Sequence, residues 1–262
     1  MTPLLLALLL LAGTPVGARP VDITVATFNI HSGVGADGAL DLARTAAAIR
    51  ASGADVVGLQ EVDVRWSARS GFADQAGELG LALGMRVHFA PVYDLPGPPR
   101  RRFGVAVLSR LPVAEVANHE ITRWSTQDSS VGSAPGFAEA VVLARGRPVH
   151  VWVTHLDFRP DPAVRARQVA DMLATVGERG THVLLGDFNA EPGAPELDPL
   201  WERFTGVQPG PTYPADAPDL RLDHIAVSDD VEVLGSRVPA TGSSASAEAS
   251  DHRPVVADLR IG

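Results

Sequence analysis

Hydrophobic and polar positions alternate with two different periods along this chain, and the switches between them mark its elements. The opening run Leu4–Leu11 is continuously apolar and is broken at Gly13 and Pro15. Past Pro20, short β-branched runs trade places with stretches whose apolar residues recur every three to four positions. A period near 2, or a short apolar run bounded by turn residues, marks a strand, and a period near 3.6 marks a helix. On that basis Asp22–Phe28, Asp55–Gln60, Arg86–Ala90, Gly104–Ser109 and Ala138–Leu143 are predicted strands. Val149–Thr154, His182–Leu185, Leu222–Val227 and Pro254–Leu259 complete the set. Leu40–Ala51, Ala73–Leu83 and Pro162–Val176 are predicted helices, the last with proline in its first turn, where a missing N–H costs little. Tyr93–Pro99 and Gly242–Ser250 are loops by composition, and neither is a domain linker, because strand signals resume on both sides. There is no internal repeat. Mixed β and α elements throughout predict an α/β sandwich in one domain over residues 19–262.

Composition changes this picture at its N-terminal end and at its surface. Residues 1–18 carry no charged side chain, and Val16-Gly17-Ala18 places small residues where a signal peptidase cuts after an apolar run. The run is too short to span a bilayer comfortably. Residues 1–18 are therefore expected to be a signal peptide, making the protein secreted or periplasmic; an uncleaved membrane anchor or a buried first strand is the alternative. The chain has 262 residues, 45% of them hydrophobic, which is enough to fill one large core. Its formal charge is −9, so it gains little from non-specific attraction to nucleic acid. It contains no cysteine, which excludes disulfides, thiolate nucleophiles and cysteine-based zinc sites. It also contains no lysine. The one dense basic stretch, Arg100-Arg101-Arg102, reads either as a solvated loop or as a phosphate clamp.

Candidate chemistry sits at strand ends. Asn29 ends the first predicted strand, Glu61 follows the second, and His155 follows Val149–Thr154. Asp187 and Asn189 follow His182–Leu185, Asp223 sits in Leu222–Val227, and Asp251-His252 precedes the last strand. Strand ends along one sheet edge can gather side chains from distant parts of a sequence onto a rigid scaffold. Carboxylate and amide oxygens without thiolates suit a hard cation such as Mg²⁺ or Mn²⁺. His88, His119, His150 and His182 fall in no such position and read as structural.

Seven segments together resemble one superfamily. They are Thr27–Ile30, Leu59–Val62, Gly104–Ser109, Thr154–Leu156, Gly186–Asn189, Arg221–Ile225 and Ser250–Val255. In order and spacing they are similar to the endonuclease/exonuclease/phosphatase superfamily, over about residues 22–260. The resemblance implies a four-layer α/β sandwich, with two mostly antiparallel sheets packed face to face and helices outside. It implies a divalent-metal-dependent phosphoesterase acting by in-line attack of an activated water on a diester or monoester. Its substrate would be a small diester, a lipid headgroup or nucleic acid, acted on by a monomer. A secreted endonuclease on DNA or RNA and a non-catalytic binding module are the alternative readings. By the same resemblance Glu61 is the principal metal ligand, with Asn29 and Asp251 close to the metal or phosphate. His252 is the general base or a phosphate-contacting imidazole, oriented by Asp223, and Asp187 is a second candidate for holding the attacking water. Asn189 donates to charge developing on phosphorus, and His155 is a phosphate ligand or a proton donor to the leaving group. Arg102 is a candidate substrate contact. Two departures narrow the field. His31 stands where abasic-site endonucleases carry a carboxylate, and no glutamate precedes the Gly104 strand as it does in deoxyribonuclease I relatives.

Overall fold

The computed structural model describes residues 19–239 and 249–262. The expected signal peptide and most of the Gly242–Ser250 stretch lie outside these described residues. Every predicted strand and helix forms. Numbered in chain order, β1 (Val21–Asn29), β2 (Val56–Val64), β3 (Arg86–Leu95) and β4 (Arg101–Ser109) join β11 (Val231–Arg237) and β12 (Val255–Ile261) in one six-stranded sheet. Its strand order is β11-β12-β1-β2-β4-β3. The second sheet holds β5 (Val113–Trp124), β6 (Val131–Ala144), β7 (Arg147–His155), β8 (Thr181–Asp187), β10 (Asp223–Val227) and β9 (Thr205–Gly206), in that spatial order. Each sheet contains one parallel pair, β1 with β2 and β7 with β8, and is otherwise antiparallel.

Between the sheets, small and β-branched inward residues interdigitate. Val25, Val56 and Val107 of the first sheet meet Val151, Val153 and Leu185 of the second in one buried cluster. Gly58 allows the close approach, because a Cβ there would lie 2.8 Å from Val153 Cγ2. The outer faces need helices to keep their apolar rows from water. α1 (Leu42–Ser52) and α2 (Gln75–Leu83) bury Ile49 and Leu79 against Phe28, Leu59 and Leu108. α3 (Ala163–Thr175) and α4 (Asp198–Trp201) bury Val169, Met172 and Leu200 against Phe137, Trp152 and Leu184. Each such large side chain contributes about 1.5–3 kcal/mol of burial. Aspartates close the first two helices at their N-termini: Asp41 accepts from Arg44 N and Asp74 from Gly77 N. The result is four layers, helix–sheet–sheet–helix.

The structure departs from the sequence reading in two places. The first is that β9 is too short to show a period, and β5 and β11 carry no clear one in the sequence. Both are edge strands, half exposed on both faces, so neither apolar alternation nor a buried run marks them. The second is that Arg100–Arg102 is not a free loop. β3 extends to Leu95 and β4 begins at Arg101, so the arginines sit at a hairpin, where Arg100 pairs with Asp94. Arg102 lies over the Phe89 ring, 5.4 Å from its centroid, on the face opposite Phe103. These contacts correct the reading of the stretch as a free loop, since Arg101 and Arg102 belong to β4.

Candidate active site

Strand direction explains why distant residues meet. β1 and β2 run parallel, so Asn29 and Glu61 reach the same edge of the first sheet. β12 runs antiparallel to β1, so the segment entering it delivers Asp251 and His252 to that edge. In the second sheet His155 of β7 pairs in register with Asp187 of β8, and Asp187 pairs in register with Asp223 of β10. The two sheet edges adjoin, and all the strand-end candidates come together there.

Local backbone finishes the placement. The β2–β4 register shifts between Leu59 and Val62, and Glu61 takes a left-handed φ of 56° at this bulge. A bulge re-aims one side chain at a strand end, here bringing Glu61 Oε1 within 3.3 Å of Asn29 Nδ2. Asn189 is also left-handed, at φ 49°, a conformation asparagine tolerates better than most residues. Its N–H donates to Asp187 Oδ1 at 2.9 Å, and its side-chain amide donates to the Leu156 carbonyl at 3.0 Å. One amide hydrogen of Asn189 is thus held by the backbone. Gly186 sits where a Cβ would strike the Thr154 carbonyl at 2.7 Å, so only glycine lets β7 and β8 keep Asp187 beside His155.

The floor of the site is buried: Asn29, Asp187, Asp223 and His252. Glu61, His155, Asn189, Asp251 and His31 are half-buried around it. Asp187 Oδ2 is the hub. It accepts from Asn29 Nδ2 at 2.9 Å, and the Nε2 atoms of His155 and His252 lie 3.5 Å and 3.7 Å away. His252 Nδ1 donates to Asp223 Oδ2 at 2.8 Å, which aims its Nε2 into the site. Asn29 holds Glu61 and Asp187 apart with its nitrogen, while its oxygen accepts from His31 N at 3.0 Å. His31 Nδ1 lies 3.5 Å from Asp251 Oδ1.

Sequence reading missed three supporting residues. Thr212 donates to Asp223 Oδ2 at 2.6 Å, and the Tyr213 ring packs 4.8 Å from the imidazole of His252. Ser250 donates to the Asn29 carbonyl at 2.7 Å, tying the approach to β12 onto the end of β1. Thr212 and Tyr213 lie in a proline-rich loop with no strand signal nearby, so nothing in the sequence marks them. Ser250 stands inside the Ser250–Val255 segment and could have been named from it.

The electrostatics follow from two buried carboxylates around one imidazole. Burial disfavours charge on His252, but Asp223 and Asp187 outweigh it and push its pKa up to about 10. Burial pushes the Asp187 carboxyl up, yet His252, His155 and the Asn29 amide hold it below its ordinary value. Burial carries Asp223 above its ordinary value, so the Asp223–His252 pair holds a proton between its two members.

The donor set fits a divalent cation. Ligand atoms of Asp187, Asp223 and His252 lie within 4.8 Å of one another. Asp223 Oδ1 is buried without a hydrogen-bond partner, an orphan oxygen that a cation or a polar substrate would satisfy. Glu61 and Asp251 add hard oxygens at the rim, on the side open to solvent.

The sequence profile of the Endonuclease/Exonuclease/phosphatase family matches residues 26–252. The chain belongs to this family. No curated protein sequence matches the chain at a significant level. Among solved structures, an endonuclease/exonuclease/phosphatase from Beutenbergia cavernae DSM 12333 is 27% identical, with a TM-score of 0.75 over 92% of this chain and 72% of that one. A mannosyl-6-phosphatase from Bacteroides thetaiotaomicron VPI-5482 is 17% identical, with a TM-score of 0.69 over 90% of this chain and 99% of that one. The catalytic domain of human Nocturnin, with bound sulfate, is 22% identical, with a TM-score of 0.66 over 91% of this chain and 93% of that one. The last two likenesses show the shared fold. As a member of the family, the chain is a metal-dependent phosphoric ester hydrolase.

Proposed function

We propose that the protein is an exported Mg²⁺-dependent phosphoesterase that hydrolyses one phosphate ester at a time by in-line attack of water. The observation that carries this reading is the convergence on Asp187 Oδ2, where two imidazole Nε2 atoms and the Asn29 amide surround one buried carboxylate oxygen. The two imidazoles, 3.5 Å and 3.7 Å from that oxygen, can donate instead to the non-bridging oxygens of a phosphoryl group seated beside it. Glu61, with Asn29 and Asp251 nearby, would hold Mg²⁺ or Mn²⁺, and the bound ion supplies Lewis-acid polarisation of the phosphoryl oxygens. Asp223 holds the His252 imidazole in one orientation through Nδ1, so that Nε2 faces the attacking water or the phosphate. Asp187 accepts from the attacking water. His155, at the half-buried rim, donates to the leaving oxygen. Asn189 offers its remaining amide hydrogen to the developing charge.

A small substrate is favoured over long nucleic acid. The net charge is −9, and Arg100, in the one dense basic stretch, is already paired with Asp94. The protein is expected to act as a monomer outside the cytoplasm, with export ending in cleavage after Ala18. Among the described residues no helix is long and apolar enough to cross a membrane.

The test is hydrolysis of bis-p-nitrophenyl phosphate, nucleic acids, sphingomyelin and sugar phosphates by wild type and Glu61→Ala. Exhaustive chelation is expected to abolish turnover, Mg²⁺ or Mn²⁺ to restore it, and Glu61→Ala to need far more metal. Full activity after chelation would refute the mechanism. N-terminal sequencing of the exported protein checks the cleavage point.

A further inference from the structure

Beside the reaction centre lies a cavity of about 310 Å³, bounded at one end by Glu61 and His155. That volume is at the lower end of small-molecule sites, which run from about 300 to 1,000 Å³. Its position makes it the place for whatever is esterified to the phosphate.

The cavity is lined by flat groups from both sheets. Trp66, Tyr93 and Phe103 come from the first sheet and its connections, with ring centroids 5.8–6.3 Å apart. Trp124, ending β5, and Phe158, just past β7, come from the second. Guanidinium planes continue these surfaces. Arg123 lies 4.5 Å from the Tyr93 centroid, and Arg159 lies 4.3 Å from that of Trp124 and 5.1 Å from that of Phe158. Arg159 pairs with Asp157, and Arg123 donates one N–H to the neutral Val92 carbonyl. What remains for a guest is flat π and guanidinium surface, edged by the polar side chains of Thr126, Gln127 and Gln168.

That combination selects among guests. An acyl chain would have to desolvate guanidinium groups without pairing them. A planar heteroaromatic ring stacks on aromatic and guanidinium faces and reaches the polar edge with its ring nitrogens and exocyclic groups. The Phe158 ring, 63% exposed at the mouth, gains a stacking partner when such a guest enters. We propose that this slot binds a nucleobase, so that the esters hydrolysed at the adjoining centre are nucleotides held by one base. The substrate assignment rests on the phosphoesterase reading above; the base-binding slot does not.

The test measures binding of adenosine and of ribose to the Mg²⁺-loaded protein by calorimetry and tryptophan fluorescence. Neither ligand has a phosphate to lose, and Trp66 and Trp124 report from inside the slot. Adenosine is expected to bind on the order of 10- to 100-fold more tightly than ribose. Trp124→Ala and Phe158→Ala should each remove most of that advantage. Phe158 is exposed, so its variant tests the slot even if Trp124→Ala folds poorly. Equal binding of ribose, or an advantage that survives both substitutions, overturns the proposal. So does a kcat/KM for ribose 5-phosphate or phospholipid vesicles equal to that for adenine nucleotides. If adenosine binds as expected while no phosphate ester is cleaved, the base-binding slot stands and the phosphoesterase reading falls.

Discussion

The second sheet carries two histidine–carboxylate clusters. At its edge, Asp187 and Asp223 meet His155 and His252. On its outer face, Glu139 of β6 accepts from His119 of β5 at 2.9 Å and from His150 of β7 at 2.7 Å. Next to them His182 of β8 accepts from the Trp152 indole at 3.2 Å and donates through Nε2 to the Arg179 carbonyl at 3.2 Å. The residue types are the same, but the balance between them differs. One outer carboxylate serves two imidazoles, which hold its pKa below the ordinary value against the opposing effect of burial. At the edge there are two carboxylates for two imidazoles; both carboxylates press on His252, whose pKa rises to about 10, and Asp223 Oδ1 has no partner. A histidine cluster is structural when its hydrogen-bonding capacity is spent inside the protein. It is available for chemistry when part of that capacity points into a space a substrate can enter.

Breaking the edge cluster should have the largest effect. His252→Ala is expected to lower kcat by roughly 10²–10⁴, the usual contribution of a positioned acid or base. Because Asp223 acts through His252, Asp223→Ala and the double variant should be about as slow as His252→Ala alone. Losses that multiply in steady-state assays would show that the two act independently.

A histidine without any carboxylate sharpens the comparison at intermediate magnitude. His224 is buried, stacked 5.0 Å from Phe188, and donates through Nε2 to the Ala190 carbonyl, while its Nδ1 has no partner. Burial lowers its pKa from 6.5 to about 4. The unfolded chain therefore takes up this proton first as pH falls. Stability linked to His224 is full above pH 6.5 and is lost progressively down to about pH 4, by about 3 kcal/mol. Urea midpoints at pH 7 and pH 4 should show this loss in wild type, with a smaller loss in His224→Gln. Equal losses in the two would assign the acid sensitivity elsewhere.

The smallest effect belongs to the outer cluster. Glu139→Gln still fills the space but takes the charge from both bonds and replaces one accepting oxygen with an NH₂ donor, so it should cost about 1–3 kcal/mol in chemical denaturation. Turnover should not change. A drop in kcat comparable to that of His252→Ala would erase the distinction between the clusters.

Much of this was legible in the sequence. Asn29, Glu61, His155, Asp187, Asp223, Asp251 and His252 stood out because each ends, follows, begins or precedes a hydrophobic run, and the structure brings them to one edge. The strands that were missed, β5, β9 and β11, lie at sheet edges: β9 is two residues long, and in β5 and β11 partial exposure on both faces erases the period. The loop reading of Arg100–Arg102 failed because a run of like charge in a proline-rich stretch does not reveal that a hairpin forms there, with Arg102 over Phe89 on the face away from Phe103.

By itself the sequence determined most of the elements and the identity of the reactive side chains, because periodicity and strand-end chemistry are local properties. Only the tertiary structure decided which ends meet and how each group is used. Asp187 became the hub through its register with His155 and Asp223, and Glu61 reached Asn29 through a bulge with a left-handed residue. The aromatic slot joins Trp66 to Trp124 and Phe158 across two sheets. Distances, burial and the direction of each pKa shift depend on neighbours far away in the chain, and those neighbours are fixed only when the two sheets close on each other.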